Sequence, residues 1–375
     1  MRGIKAKLFL RLFRKTALPI LGVGICVCIT LGAMECFGGF FEKLTVISAA
    51  AAMPQGGISV GLSELRGSSD EKTQSAASEG NLPERDETQE ISSTVLSEVP
   101  QSSVEVPKDA GKISEYAITP SKTSSKIIWY EDAAFSNTSK FSNNEILKVL
   151  KQNPTIKLKE GKPQVLIYHT HSTESYEMQD LGYYEKGSSA RTTDERYNMI
   201  RVGDEIAAQL EKAGIEVIHI RELYDYPSYN GAYNRSAETV KKYLEKYPSI
   251  TVTLDIHRDA IEQADGTRVK PTATVNGKKA AQVMIIAGVD DGTMDFPKWR
   301  ENMKFASALQ RQMEQSFSGL TRAAMVCHRR YNMYLTTNSL LIEVGGHANT
   351  LDEAIFSGEM IGKSLVDVLK EYGTD

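Results

Sequence analysis

From Ile127 to the end of the chain, short unbroken apolar runs alternate with longer stretches whose apolar residues recur at helical spacing. The runs are "QVLIYH", "IEVIHI", "ITVTLDIH", "AAQVMIIAG" and "SLLIEVG". The longer stretches are "RYNMIRVGDEIAAQLEKAG", "SAETVKKYLEKYP", "FPKWRENMKFASALQRQMEQSF" and "TLDEAIFSGEMIGKSLVDVLKEY". A strand without polar alternation is buried on both faces and needs helices above and below it. The pattern predicts an α/β domain: a mostly parallel sheet with helices on both faces. Gly214 and Pro248 mark helix ends, and Pro297 falls in a first helical turn. Ligands of such sheets gather at the carboxyl ends of the strands.

Three of these strands end in residues that carry chemistry. "VLIY" runs into His169, Thr170, His171, Ser172, Thr173 and Glu174. "TVTLD" runs into Ile256, His257, Arg258 and Asp259, and "SLLI" into Glu343. The chain has six histidines, and three of them stand at these ends. His171 and Glu174, in H-x-x-E spacing, join His257 as two imidazoles and one carboxylate. That set suits Zn2+ and leaves a position open for water. Asp194 or Glu195, in "DERYNMIRVG", is the alternative acidic ligand, and spacing alone leaves the choice open. A carboxylate outside the metal set must take a proton from the attacking water and pass it to the leaving nitrogen. Glu343 is the candidate, because it leaves a very apolar strand and partial burial raises a carboxyl pKa toward neutrality. His169 reads as a partner that orients a ligand. Arg258, Asp259, His347 and Asn349 are candidates for contacting substrate or supporting the ligands. His219 and His328 read as structural, and Cys327 as packing.

The N-terminal part has a different character. Residues 1–15, "MRGIKAKLFLRLFRK", carry six basic residues and no acid, and an uncharged run follows from Thr16 to Met34. This predicts a cytoplasmic basic segment (1–15) and a single transmembrane signal-anchor helix (16–35), with the remainder outside the cell membrane. A cleaved signal peptide is the other reading, and both export the domain. Residues 36–126, rich in Ser, Glu, Thr, Gln and Pro, read as an extracytoplasmic flexible linker, and 127–375 as the catalytic domain. Three of the four cysteines lie in or beside the membrane segment, so no disulfide within the domain is available. A net charge of −4 offers no basic face for nucleic acid.

The segments "LIYHTHSTESY", "YDYPSYNGAYNRSAETV", "YPSITVTLDIHRDA", "FPKWRENMKFASAL", "RYNMYL" and "LLIEVGGHANTLDEA" resemble the stage II sporulation protein P family of endospore-forming Firmicutes. The resemblance covers about Lys162 to Leu369. It implies a domain similar to the zinc-dependent N-acetylmuramoyl-L-alanine amidases, with His171 and His257 as zinc ligands and Glu343 as the catalytic carboxylate. Those amidases take their acidic ligand from a Glu that starts the first helix, and the nearest match here is Asp194, with Glu195 beside it. The H-x-x-E spacing of His171 and Glu174 is instead similar to zinc carboxypeptidases, whose sheet is related. Further, the resemblance implies amidase and endopeptidase activity on peptidoglycan stem peptides during forespore engulfment, in the space between mother-cell and forespore membranes. The partners it implies are stage II sporulation proteins D and M. The competing readings are a zinc carboxypeptidase acting on soluble peptides and a catalytically inactive peptidoglycan-binding scaffold.

Overall fold

The structure, a computed structural model, describes residues 106–374. In chain order its first elements are β1 (Gly111–Tyr116), β2 (Ile127–Tyr130), β3 (Ala133–Asn137), α1 (Asn143–Leu150), β4 (Ile156–Lys157), β5 (Val165–Tyr168) and β6 (Tyr183–Tyr184). There follow α2 (Met199–Lys212), β7 (Val217–His219), α3 (Ala232–Lys246), β8 (Val252–Asp259), β9 (Arg268–Val275), β10 (Lys278–Ala281) and β11 (Val283–Gly288). The last are α4 (Trp299–Ser316), β12 (Ala324–Cys327), β13 (Ser339–Gly346), α5 (Leu351–Tyr372) and β14 (Gly373–Thr374).

Eight strands form the main sheet in the order β2-β3-β12-β11-β13-β8-β5-β7. Five of its seven pairings are parallel; β2 with β3 and β11 with β13 are antiparallel. The α/β expectation therefore holds, as a mixed sheet. Because β11 and β12 run opposite to β13, β8 and β5, their starts share a rim with the ends of those three strands. A smaller sheet, β10-β9-β1-β6, stands apart from it, and β4 pairs with β14.

Val165 and Ile167 of β5 are fully buried on one face, in the same cluster as Met199, Val202 and Ile206 of α2 and Ile361 and Leu365 of α5. Leu166 and Tyr168 point to the other face, where Ala232 and Val240 of α3 cover them. This two-sided burial is why β5 reads as an unbroken apolar run. Helix α5 starts at a capping box: the Thr350 hydroxyl accepts from Glu353 N–H, and the Glu353 carboxylate accepts from Thr350 N–H.

Two boundaries differ from expectation. The linker assigned to 36–126 includes Gly111–Tyr116, which the structure places in β1, parallel to β9 over four residues. Helix α2 begins only at Met199, because the Asn198 side chain caps it by accepting from Ile200 N–H. Asp194 and Glu195 consequently lie in the loop before the helix. The membrane segment expected at 16–35 lies outside the described residues. Among those described, no helix is long and apolar enough to cross a membrane.

Candidate active site

Immediately after β5 the chain turns, and two carboxylates fix that turn. Asp255 accepts from Thr170 N–H (2.8 Å) and its hydroxyl (2.7 Å). Asp225 accepts from Thr173 N–H (3.2 Å) and its hydroxyl (2.6 Å). Between these points stands His171, 5% exposed. Its ring stacks on Tyr229 (4.4 Å between centroids, 2° between planes) and meets His257 edge-on at 5.4 Å. On the far side of His257, Nδ1 is 3.6 Å from Glu174 Oε2, while Nε2 is 2.9 Å from Asp255 Oδ1. The structure thus brings His171, Glu174 and His257 to one rim.

Glu343 of β13 is the register partner of His257, so both side chains leave the same face of the sheet. Its Oε2 is buried and has no hydrogen-bond partner. Tyr233 of α3 lies nearly parallel to the His257 ring at 6.4 Å and meets Tyr331 at 5.3 Å, so tyrosines wall the rim opposite the strands.

The electrostatics suit a cation. Burial alone would raise the Glu174 carboxyl, but His257, Arg258 and Arg191 outweigh it and hold it well below the usual range. Burial lowers His171 despite Asp225, leaving a neutral imidazole. Burial would also lower His257, but Asp255 and Glu174 on either side keep it well above its ordinary value. A positive charge is therefore favoured at this point, and a metal ion would supply it in place of that proton. Two imidazoles, an ionised carboxylate and a buried His171 Nδ1 without a hydrogen-bond partner fit Zn2+. Burial, reinforced by the charge of Asp259, pushes Glu343 up to about 8, while His257 pulls the other way.

Neither alternative acidic ligand is offered to this rim. Asp194 holds Arg196 through both oxygens, and Glu195 pairs with Arg221 at 2.9 Å. The remaining candidates separate into supports. His169 sits behind the ligands, with Nδ1 2.9 Å from Ile256 O, where it donates, and Nε2 2.8 Å from His219 Nε2. Burial, then His219, pushes His169 down to about 3. A Cβ on Gly203 of α2 would fall 2.5 Å from His219 Nε2 and 2.6 Å from His169 Nε2, so only glycine lets the helix cross this pair. Arg258 donates to Glu174 through its backbone N–H and clamps Ser175 O, Asp259 O and Ala190 O with its side chain. Asp259 pairs with Arg322 at 2.9 Å, both buried. Asn349 is fully buried and acts on the backbone: it accepts from Gly346 N–H and donates to Glu353 and Pro271 O. It holds the bulge after Glu343, where Gly345 has φ 65° and a Cβ would lie 2.6 Å from Asn349 Oδ1.

Among the described residues, the group of three such side chains whose ligand atoms all lie within 4.8 Å of one another is Asp290, Asp291 and His328. It lies after β11 and β12, at the opposite rim. Asp290 accepts four backbone N–H groups, from Gly292, Thr293, Met294 and Phe296. Asp291 is paired with Lys140 at 3.0 Å and with His328 at 3.0 Å. This is a loop clasp whose lone pairs are already used and whose cation is a lysine. Cys327 beside it is buried, which pushes its thiol up to about 12, in keeping with a packing role.

Sequence comparison gives the lineage. The family model described as Stage II sporulation protein P (SpoIIP) matches residues 63–366. The chain belongs to that family. A curated relative, Stage II sporulation protein P of Bacillus subtilis (strain 168), is 29% identical over 225 residues, 57% of this chain and 52% of the relative. The chain thus spans about half the length of the curated relative it matches. Solved structures similar to this member of the family include the N-acetylmuramoyl-L-alanine amidase AmiC2 of Nostoc punctiforme, 15% identical, covering 57% of this chain and 98% of that one, TM-score 0.34. The CwlD amidase of Clostridioides difficile, solved in complex with the GerS lipoprotein, is 15% identical over 56% of this chain and 98% of its own, TM-score 0.35. A metallo-carboxypeptidase from Burkholderia cenocepacia is 10% identical over 64% of this chain and 71% of its own, TM-score 0.32.

Several residues of the site in this family member escaped sequence reasoning. Asp255 was within reach of it: a lone acid in "TVTLDIH", two residues before His257, must share its face. Asp225, Arg191, Tyr229 and Tyr233 gave no local signal, since their approach to His171 depends on how α3 and the loops fold back.

Proposed function

We propose that this protein is a membrane-anchored, zinc-dependent peptidoglycan hydrolase that cleaves stem peptides, as N-acetylmuramoyl-L-alanine amidase and endopeptidase, during forespore engulfment. The observation that carries the reading is the placement of Glu343: a half-buried carboxyl with an unpartnered oxygen, in register with His257 and within electrostatic reach of Glu174. His171, His257 and Glu174 would hold the zinc, with Asp255 at Nε2 orienting the His257 imidazole from behind. Zinc in such a site supplies Lewis acidity that makes water nucleophilic at neutral pH and polarises an amide carbonyl. Glu343 takes the proton of the attacking water at its free oxygen and delivers it to the leaving amide nitrogen, so the carboxylate is restored as the C–N bond breaks. Tyr229, Tyr233 and Tyr331 bound the space in which the peptide lies, and the loop after β5 keeps the ligands fixed while it binds.

Anchoring by residues 16–35, an extracytoplasmic location and partnership with stage II sporulation proteins D and M complete the proposal. Family membership and the basic, then uncharged, N-terminus support these points. The experiment is Glu343→Gln, with bound zinc and wall-peptide cleavage measured on the same preparation. Cleavage should fall by at least about 10²-fold, the lower end of what general acid–base assistance is worth, while zinc stays bound. Full cleavage by this variant would eliminate the mechanism.

A further inference from the structure

Beside the metal-ligand candidates lies a cavity of about 260 Å3, whose lining includes Ser175, Met178, Leu181, Ser189, Arg268 and His347. At roughly 30 Å3 per water it has room for one carboxyl-bearing side chain. Its wall is continuous with the site. Ser175 directly follows Glu174, and Arg258, next to His257, bonds both Ser175 O and Ala190 O at 2.6 Å. His347 N–H donates to Asp259 O at 3.0 Å, tying the opposite wall to the end of β8.

Two lining side chains, each at least nine-tenths buried, have unmet polar atoms. Arg268, 9% exposed, lies against the Tyr184 ring at 3.7 Å and gives Nη1 to Glu177 at 3.2 Å, but its Nε has no partner. His347, 6% exposed, has Nε2 3.9 Å from Glu262, beyond hydrogen-bond reach, and its Nδ1 has no partner either. Buried donors left unmet cost free energy that ligand oxygens would recover. Met178 and Leu181 are exposed at 56% and 41%, an apolar border suited to the hydrocarbon part of a side chain.

We propose that this cavity is a subsite for a carboxylate-bearing residue of the peptide substrate, received by Arg268 and His347 and flanked by Met178 and Leu181. The proposal rests on the reading of the neighbouring rim as a peptide-cleaving centre, but on none of its ligands. The full-length chain carrying Glu343→Gln, so that the probe is not turned over, is titrated with N-acetyl-L-alanyl-γ-D-glutamic acid and separately with its diamide. Binding is followed by saturation-transfer NMR of the peptide signals. The acid should bind at least fivefold more tightly than the diamide. Adding Arg268→Gln, or Ser189→Trp to fill the cavity from its exposed loop, should bring the acid down to the level of the diamide. Equal binding of acid and diamide overturns the subsite, as does an acid preference that survives Ser189→Trp. That second variant decides the matter if Arg268→Gln fails to fold. An acid preference in a chain whose parent cleaves no wall peptide would uphold the subsite and remove the hydrolase reading. Parent cleavage without an acid preference would do the reverse.

Discussion

The two rims of the main sheet each gather histidine and carboxylates at strand ends, and they differ in what is left over. At one, Asp290, Asp291 and His328 are the tighter cluster, yet every lone pair of consequence already meets a backbone N–H, a hydroxyl or Lys140. At the other, His171, Glu174, His257 and Glu343 are more open, and three buried atoms among them (His171 Nδ1, His257 Nε2 and Glu343 Oε2) have no hydrogen-bond partner. Proximity of ligand types does not make a site; unspent valence does. Most buried polar atoms in proteins are paired, so unmet ones gathered at a single rim call for an explanation.

The contrast can be broken most directly with metal. His257→Ala or His171→Ala should lower zinc affinity by orders of magnitude and abolish cleavage, since two remaining ligands rarely hold zinc in an open site. His328→Ala and Asp291→Ala should leave zinc stoichiometry unchanged. Zinc lost from His328→Ala and retained in His257→Ala, read by metal analysis of dialysed protein, would exchange the two rims.

A smaller effect should come from the residues behind the ligands. Asp255→Asn keeps the volume and a hydrogen bond to Thr170 but loses the charge beside His257, and should weaken zinc by about 10- to 100-fold. An affinity within twofold of the parent would remove Asp255 from the site's support. At the other rim, Asp290→Ala should cost about 2–3 kcal/mol of stability by stranding several backbone donors, with no change in zinc. Urea unfolding would check this, and an unchanged midpoint would contradict the clasp.

The subtlest prediction concerns pH in the metal-free protein. Glu343 is raised to about 8 in the folded state, whereas an unfolded glutamate releases its proton near 4.3. The folded state therefore holds more protons between those values, and this group makes stability fall as pH rises through that window. Glu343→Gln removes the effect. With zinc chelated, it should melt a few degrees above the parent at pH 8.5 and alongside it at pH 4. A parent more stable than the variant at pH 8.5 would show that the carboxyl ionises without penalty.

Much of this was legible in the sequence, and the exceptions have physical reasons. Strands β5, β11 and β13 could be read because burial on both faces leaves them mostly apolar, and β8 because its apolar first half, up to Ile256, precedes the polar strand end. Strands β1 and β9 could not: "GKISEY" and "RVKPTATV" are full of charge and include Pro271. That charge is tolerated because Lys270, 1% exposed at its side chain, meets Asp180 at 2.8 Å and Glu353 at 2.7 Å, partners distant in sequence. The convergence of His171, His257 and Glu343 followed from the strand-end rule alone. That Glu174, rather than Asp194 or Glu195, stands beside His257 did not. It depends on Asn198 capping α2 and on the arginines that occupy the other two acids.

Strand β1 also sets the length of a leash. If the upstream chain runs to a membrane, the sixteen residues from Gly111 to Lys126 do not pay out with it, since the first six are stitched to β9 and β6. At roughly 3.5 Å per extended residue, the domain's farthest reach shrinks by about 55 Å compared with a leash ending at Ile127. Tension on that leash arrives at β1, whose partner β9 carries Arg268 at its start, so a mechanical load on the wall would be felt first beside the cavity rather than at the far edge of the main sheet.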